Sequence, residues 1–201
     1  MTTSDSESFT RLVNAAGGGD ASARNRLFDL IFDKLRAAAS RQMRRDLSNL
    51  TEPTDLVGEV YIKLFNREPL RWESRRHFWN AVAKAMRELR VDAARKRNAQ
   101  KRGRGKQRVP LDEHLLLFEK DPIEMLALNE ALDTYEQIRP RGTEVVMLKY
   151  FAGLTGDEIA ELLEVSPRTV DSDWQFAQAW LHRELSPDGT SDQNREVNHG
   201  G

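Results

Sequence analysis

Within residues 154–185, LTGDEIAELLEVSPRTVDSDWQFAQAWLHREL, six side chains are spaced to meet the edges of base pairs: Arg168, Thr169, Asp171, Ser172, Gln175 and Phe176. They lie on or beside one side of a helical pattern whose other side, Val170, Trp174, Ala177 and Leu181, is apolar. The chemistry on offer is non-covalent. A carboxylate accepts from a cytosine amino group, Gln pairs with adenine, an aromatic edge meets a thymine methyl, and Arg or Thr reaches phosphate or a base edge. Asp171 and Asp173 count the other way, because phosphates repel them. An ordinary helical hairpin is the alternative reading of the same pattern.

A second set of charges suits a polyanion. Residues 84–108 hold eleven Lys or Arg against Glu88 and Asp92, and Lys84, Arg87, Arg90, Arg95 and Arg97 continue a well-patterned helix. Residues 111–136 hold eight carboxylates against Lys120, so the net charge of -1 conceals a sharp segregation. Catalysis has little to work with. His77, His114, His182 and His199 form no ligand-spaced cluster, no Gly-rich loop suits a phosphate, and there is no Cys. The expectation is a protein without catalytic residues, metal, cofactor or small-molecule substrate.

These side chains need helices to position them. Thr155-Gly156-Asp157-Glu158 fits a capping box, so a helix starts near Asp157 and buries Ile159, Ala160, Leu162 and Leu163. Glu164 stands in the turn where Gly would adopt a left-handed conformation more cheaply. Ser166 and Pro167 then suit the N-cap and first position of a second helix.

Upstream, Phe9, Leu12 and Val13 predict a short helix ended by Gly17, Gly18 and Gly19. Asp20 caps a longer one to about Asp46, with Leu27, Leu30, Ile31, Leu35, Ala38 and Ala39 inward and Arg36, Arg41, Arg44 and Arg45 outward. Pro53 and Thr54 open a third, with core face Leu56, Val57, Val60, Ile62, Leu64 and Phe65. A loop over 66–75 leads to a fourth over 76–96, burying Phe78, Val82, Ala85, Met86, Leu89 and Ala93.

A charged fraction of 31% with only 12 Gly and 7 Pro suits a soluble all-α protein. The expected organisation is two small helical domains, at 8–97 and 123–185, joined by a flexible linker at 98–122 and followed by a disordered tail at 186–201. In the second domain helices are expected near 123–137, 141–151, 156–164 and 167–184. The polar start MTTSDSESFT and the lack of a long apolar run predict a cytoplasmic protein with no membrane partner.

A compact helical domain, a basic helix, a linker and a carboxy-terminal helix-turn-helix together resemble the extracytoplasmic-function (ECF) subfamily of sigma-70 family RNA polymerase sigma factors. PTDLVGEVYIKLF is similar to that family's core-binding helix, and HFWNAVAKAMRELRVDAARKRNAQKRG to its promoter-melting and minus-10 helix. SPRTVDSDWQFAQAWLHREL resembles the planctomycete-type branch of its minus-35 readers.

The resemblance implies bacterial core RNA polymerase and promoter DNA, duplex and melted, as partners. Asp55, Leu56 and Glu59 would dock on the beta-prime clamp, although Glu59 and Lys63 can also pair locally along the helix. Arg71, Trp72 and Asn80 would hold a flipped minus-10 base, with core packing as the alternative role for Trp72. Lys84, Arg87, Arg90, Arg95 and Arg97 would meet phosphates, while Phe78, Trp79 and Met86 hold the core. Arg168, Thr169, Asp171, Ser172, Gln175 and Phe176 would read the minus-35 element. Basic residues are common in the family where Asp171 and Asp173 stand, and the departure fits a protein that binds promoters well only on polymerase.

The acidic linker LDEHLLLFEKD would run through basic channels of polymerase, or its apolar island at 115–118 would pack the two domains together. Control would come from an anti-sigma factor or from expression. The competing class is a free-standing helix-turn-helix regulator that does not bind core polymerase.

Overall fold

The computed structural model describes residues 3–43, 52–65, 71–101 and 122–186, and within them the protein is helical, with no strand. Helices α1 (Thr3–Gly17), α2 (Ala21–Met43), α3 (Pro53–Phe65) and α4 (Arg75–Lys101) form the first half. The second half contains α5 (Pro122–Ile138), α6 (Pro140–Val146), a π turn (Met147–Phe151), α7 (Gly156–Leu163) and α8 (Pro167–Leu185). Expectations for Arg44, Arg45, the 66–70 part of the loop, residues 102–121 with their apolar island, and the tail beyond 186 fall outside the described residues.

The ends of these helices follow from local chemistry. Asp20 Oδ1 accepts from the Ser22 and Ala23 N–H groups at 2.9 and 3.0 Å, capping α2. Asp55 Oδ2 accepts from the Glu52 N–H at 3.3 Å at the start of α3.

At 27 residues α4 outruns the expected 76–96 span and reaches about 40 Å at the helical rise per residue. It is the shared spine. Phe78, Trp79, Val82 and Met86 are buried within the first half, and α4 also packs on α5 and the π turn of the second. Because α4 is covered from two sides, Arg90 and Val91 are buried while Leu89 and Ala93, expected inward, are half-buried. Buried residues of both halves form one continuous apolar core.

Two inward expectations are corrected. Leu30 and Ile62 are exposed, Ile62 at 56%. On α3 the buried set is Leu56, Val57, Val60 and Leu64, and Ile62 sits two residues past Val60, about 200° around the helix. It therefore joins Asp55 and Glu59 on the outer stripe.

The expected single helix over 141–151 is also corrected. It breaks into α6 and the π turn, where the Ala152 N–H reaches back to the Met147 carbonyl at 3.2 Å. The widened turn brings Leu148, Tyr150 and Phe151 all inward. Gly153 follows at φ +75°, and a Cβ there would lie 2.8 Å from Ala38 Cβ and 3.0 Å from the Lys34 carbonyl. Only glycine satisfies both the dihedral and this close approach of α2.

Candidate nucleic-acid interface

The helix-turn-helix is built from its caps. The Glu158 N–H donates to Thr155 Oγ1 at 3.3 Å and Glu158 Oε2 accepts from the Thr155 N–H at 2.9 Å, closing the capping box expected from sequence. At the end of α7, Glu164 takes φ 56°, ψ 41°, the left-handed conformation anticipated there. The Val165 N–H returns to the Ala160 carbonyl at 2.9 Å. Ser166 Oγ then accepts from the Thr169 N–H at 3.1 Å, and Pro167 opens α8.

α8 buries Val170, Ala177 and Leu181, with Trp174 half-buried. Arg168, Asp171, Ser172 and Gln175 are exposed. Arg168, Ser172 and Gln175 form a row directly opposite the core, while Asp171 leans toward the start of α7. Thr169 is half-buried, and its hydroxyl sits 2.8 Å from that of Ser166, so it serves the cap. Phe176 is exposed on the opposite flank, its ring stacked on Tyr135 at a centroid distance of 6.4 Å.

The acidity of α8 is partly neutralised within the fold. Arg141 holds Asp173 in a two-point contact, Nε to Oδ2 at 2.6 Å and Nη2 to Oδ1 at 3.2 Å, and the Asp173 side chain is only 12% exposed. Arg139 places its guanidinium 4.4 Å from the centroid of the Phe176 ring. Neither arginine was singled out from sequence. The available signal was the Arg-Pro-Arg run opening α6, where cations oppose the helix dipole and so are not there for the helix.

On α4 the expected DNA contacts separate. Lys84 and Arg95 are exposed, Arg95 lying 3.5 Å from Asp92. Arg87 faces the second half: its Nε donates to Asn129 Oδ1 at 3.0 Å and its Nη2 to the Asn129 carbonyl at 2.7 Å and Asp133 Oδ1 at 2.6 Å. Asn80 Nδ2 donates to Glu144 Oε1 at 2.7 Å, beside a two-point contact between Arg76 and Glu144 at 2.7 and 2.5 Å. Arg90 is 3% exposed and Arg97 half-buried, so neither presents a free guanidinium to a strand.

Arg71 is exposed, but Trp72 is 2% exposed, with its ring edge-on to Phe78 at 5.3 Å. Its backbone is clamped by Asn14, whose Oδ1 accepts from the Trp72 N–H at 2.7 Å and whose Nδ2 donates to the Trp72 carbonyl at 2.9 Å. Trp72 is therefore a core residue, not a stacking surface.

Two glutamates at the contact between halves carry depressed pKa values. Burial pushes the Glu144 carboxyl up, but hydrogen bonds from Arg76 and Asn80 and the Arg76 charge outweigh it and hold it below the usual range. Burial likewise raises Glu158, and the Lys34 ammonium together with the Thr155 N–H lowers it further than burial lifts it. Arg75 to Glu161 at 3.2 Å adds a further bridge between halves. A cleft of about 1180 Å³ beside α4 is lined by Lys84, Arg95 and Arg141 but also by Asp92, Asp133 and Glu136. In this arrangement α4 faces mixed charge and not a uniform cationic trough.

The expected docking stripe on α3 is exposed at Asp55 and Glu59. Leu56 is not part of it, being buried beneath them, and Ile62 supplies the apolar member instead. Lys63 pairs with Glu88 of α4 at 2.7 Å, across helices.

Among the described residues no helix is long and apolar enough to cross a membrane, and no acid or His cluster suits a metal ion. The family model described as ECF sigma factor matches residues 6–187. A search among curated proteins returns no match.

Proposed function

The chain belongs to the ECF sigma factor family, and from that premise we propose that this transcription initiation factor binds core RNA polymerase through α3 and reads promoter DNA at two elements. α8 enters the major groove at the minus-35 element and α4 meets the minus-10 element. The observation that carries the reading is the exposed row Arg168, Ser172 and Gln175, held by two capped helices over an apolar core.

Each part has a physical task. Gln175 and Ser172 offer donors and acceptors to base edges, and Asp171 an acceptor for a cytosine amino group. Asp55 and Glu59, with Ile62 beside them on the stripe, present acid and apolar surface to the helical clamp of the beta-prime subunit. Lys84, Arg87 and Arg95 contribute phosphate contacts, and Arg71 and Asn80 flank the extruded base.

Using Arg87 and Asn80 in this way requires them to exchange Asp133 and Glu144 for DNA, so engagement separates α4 from α5 and α6. Polymerase supplies all catalysis. The protein works where the chromosome is, in the cytoplasm, and a separate anti-sigma protein that covers α3 or α8 would silence it.

Reconstituted transcription with core polymerase on a promoter library tests this reading. Asp55→Ala should abolish core binding and all transcription with little loss of stability, since among the described residues its carboxylate meets only the Glu52 N–H at the start of α3. Gln175→Ala should leave core binding intact and alter minus-35 preference by about 1–3 kcal/mol at one base pair. If the wild type neither co-purifies with core polymerase nor supports promoter-dependent transcription, the free-standing regulator takes its place.

A further inference from the structure

α8 carries the wrong groups on one of its flanks for a helix seated in DNA. A helix about 10–12 Å across fills a major groove about 12 Å wide, so its two flanks lie against the sugar-phosphate walls. Asp173 and Phe176 occupy the flank that faces α5 and α6, and together they offer a carboxylate and a phenyl ring to a line of phosphates.

Both are covered by arginines from another element. Arg141 closes on Asp173 with two hydrogen bonds, and the Arg139 guanidinium carbon lies 4.4 Å from the centroid of the Phe176 ring. These two cations stand at the amino-terminal end of α6, where they weaken that helix. Arg139 is exposed, and a guanidinium resting on an aromatic ring keeps N–H donors that a phosphate can take.

We infer that the α5/α6 turn supplies the cations that this flank of α8 lacks: Arg139, held on the Phe176 ring, is a DNA phosphate contact, and Arg141 is a positioning residue that cancels the Asp173 charge. The inference rests on the reading of α8 as a minus-35 reader and extends it to residues outside the helix-turn-helix. It makes Phe176 a platform for Arg139 instead of a base reader. It also makes the contact independent of base sequence, because phosphates carry none.

The test uses the full chain on core polymerase, with promoter fragments enriched from a random library by transcription and affinity measured across a salt series. Loss of one phosphate contact lowers the slope of log affinity against log salt by about 0.9. Between 50 and 200 mM salt, wild type should therefore lose about 3.5-fold more affinity than Arg139→Gln. The change should be the same on every enriched sequence, and Arg139→Lys should restore the slope.

Phe176→Leu should weaken binding in wild type and cost little more in the Arg139→Gln background. Arg141→Gln should weaken binding, and adding Asp173→Asn should restore it. Thermal melts of each variant separate folding from binding. A wild-type complex that binds no fragment in the pool would defeat the promoter-reading assignment itself. A wild-type complex that binds, with an Arg139→Gln slope unchanged, would overturn the phosphate contact alone.

Discussion

Glu164 shows what a tight turn between two helices demands of one residue's backbone. It is the only non-glycine described at positive φ, and it sits at the hinge between α7 and α8. A left-handed L-residue costs about 1–2 kcal/mol, so Glu164→Gly should raise stability by about 1 kcal/mol, read as a higher denaturation midpoint. Its side chain is exposed and, among the described residues, acts only through its charge on Arg76, so most of the gain is a backbone effect. At the same scale, Asp171 and Asp173 prove unlike each other despite similar spacing. Asp173 is spent on Arg141, whereas Asp171 remains exposed and available to a ligand. The second acid is thus structural, and Asp173→Ala should destabilise the α6–α8 contact while Asp171→Ala should leave thermal stability unchanged.

At the level of elements, packing at the α5–α6–α8 junction depends on a missing methyl group. A Cβ on Gly142 would lie 2.7 Å from the Tyr135 hydroxyl and 3.1 Å from its ring, and Tyr135 supports both Phe176 and Trp180. Overpacking costs about 1–3 kcal/mol and the helix preference of Ala returns about 1, so Gly142→Ala should be destabilising by about 1 kcal/mol, within a range of about 0–2. The near-ultraviolet circular dichroism of the aromatic cluster should change with it. Such a junction is not legible in sequence, because it joins side chains from three separated helices. What could be read was local: the capping box at Thr155, the Ser166-Pro167 start and the alternation of apolar faces. Ile62 and Leu30 escaped because a hydrophobic side chain on an exposed stripe looks the same in sequence as one in the core. Trp72 and Arg90 were candidate DNA contacts by residue type, and burial, a long-range property, decided their placement. Arg139 was passed over for the converse reason, since its partner Phe176 lies 37 positions away.

For the molecule as a whole, α4 belongs to both halves, and two of the groups it would offer DNA, Arg87 and Asn80, are held by α5 and α6. Asp133→Asn with Glu144→Gln removes the carboxylates facing Arg87 and Arg76, and should expand the free protein in small-angle scattering and raise its affinity for duplex DNA several-fold. Each pair has one mostly buried partner and contributes on the order of 1 kcal/mol, so the double change weakens the contact between halves without unfolding either half. Acid should act in the same direction. Glu144 and Glu158 have depressed folded-state pKa values, so their contribution is fully present above the ordinary glutamate range and disappears as pH falls through the lower folded values. Denaturation midpoints from pH 7 to 3 should fall accordingly, and Glu144→Gln with Glu158→Gln should flatten that profile. The π turn, which continues α6 and packs on α2, α4 and α7, adds something different in kind. One residue more or less in 147–151 turns everything downstream by about 100°. A single-codon deletion there could restore a regular α-helix and still aim the reading row away from the groove. The segment thus behaves as a gauge of chain length: conservative replacements of Leu148 or Phe151 should be tolerated, and changes in residue number should not.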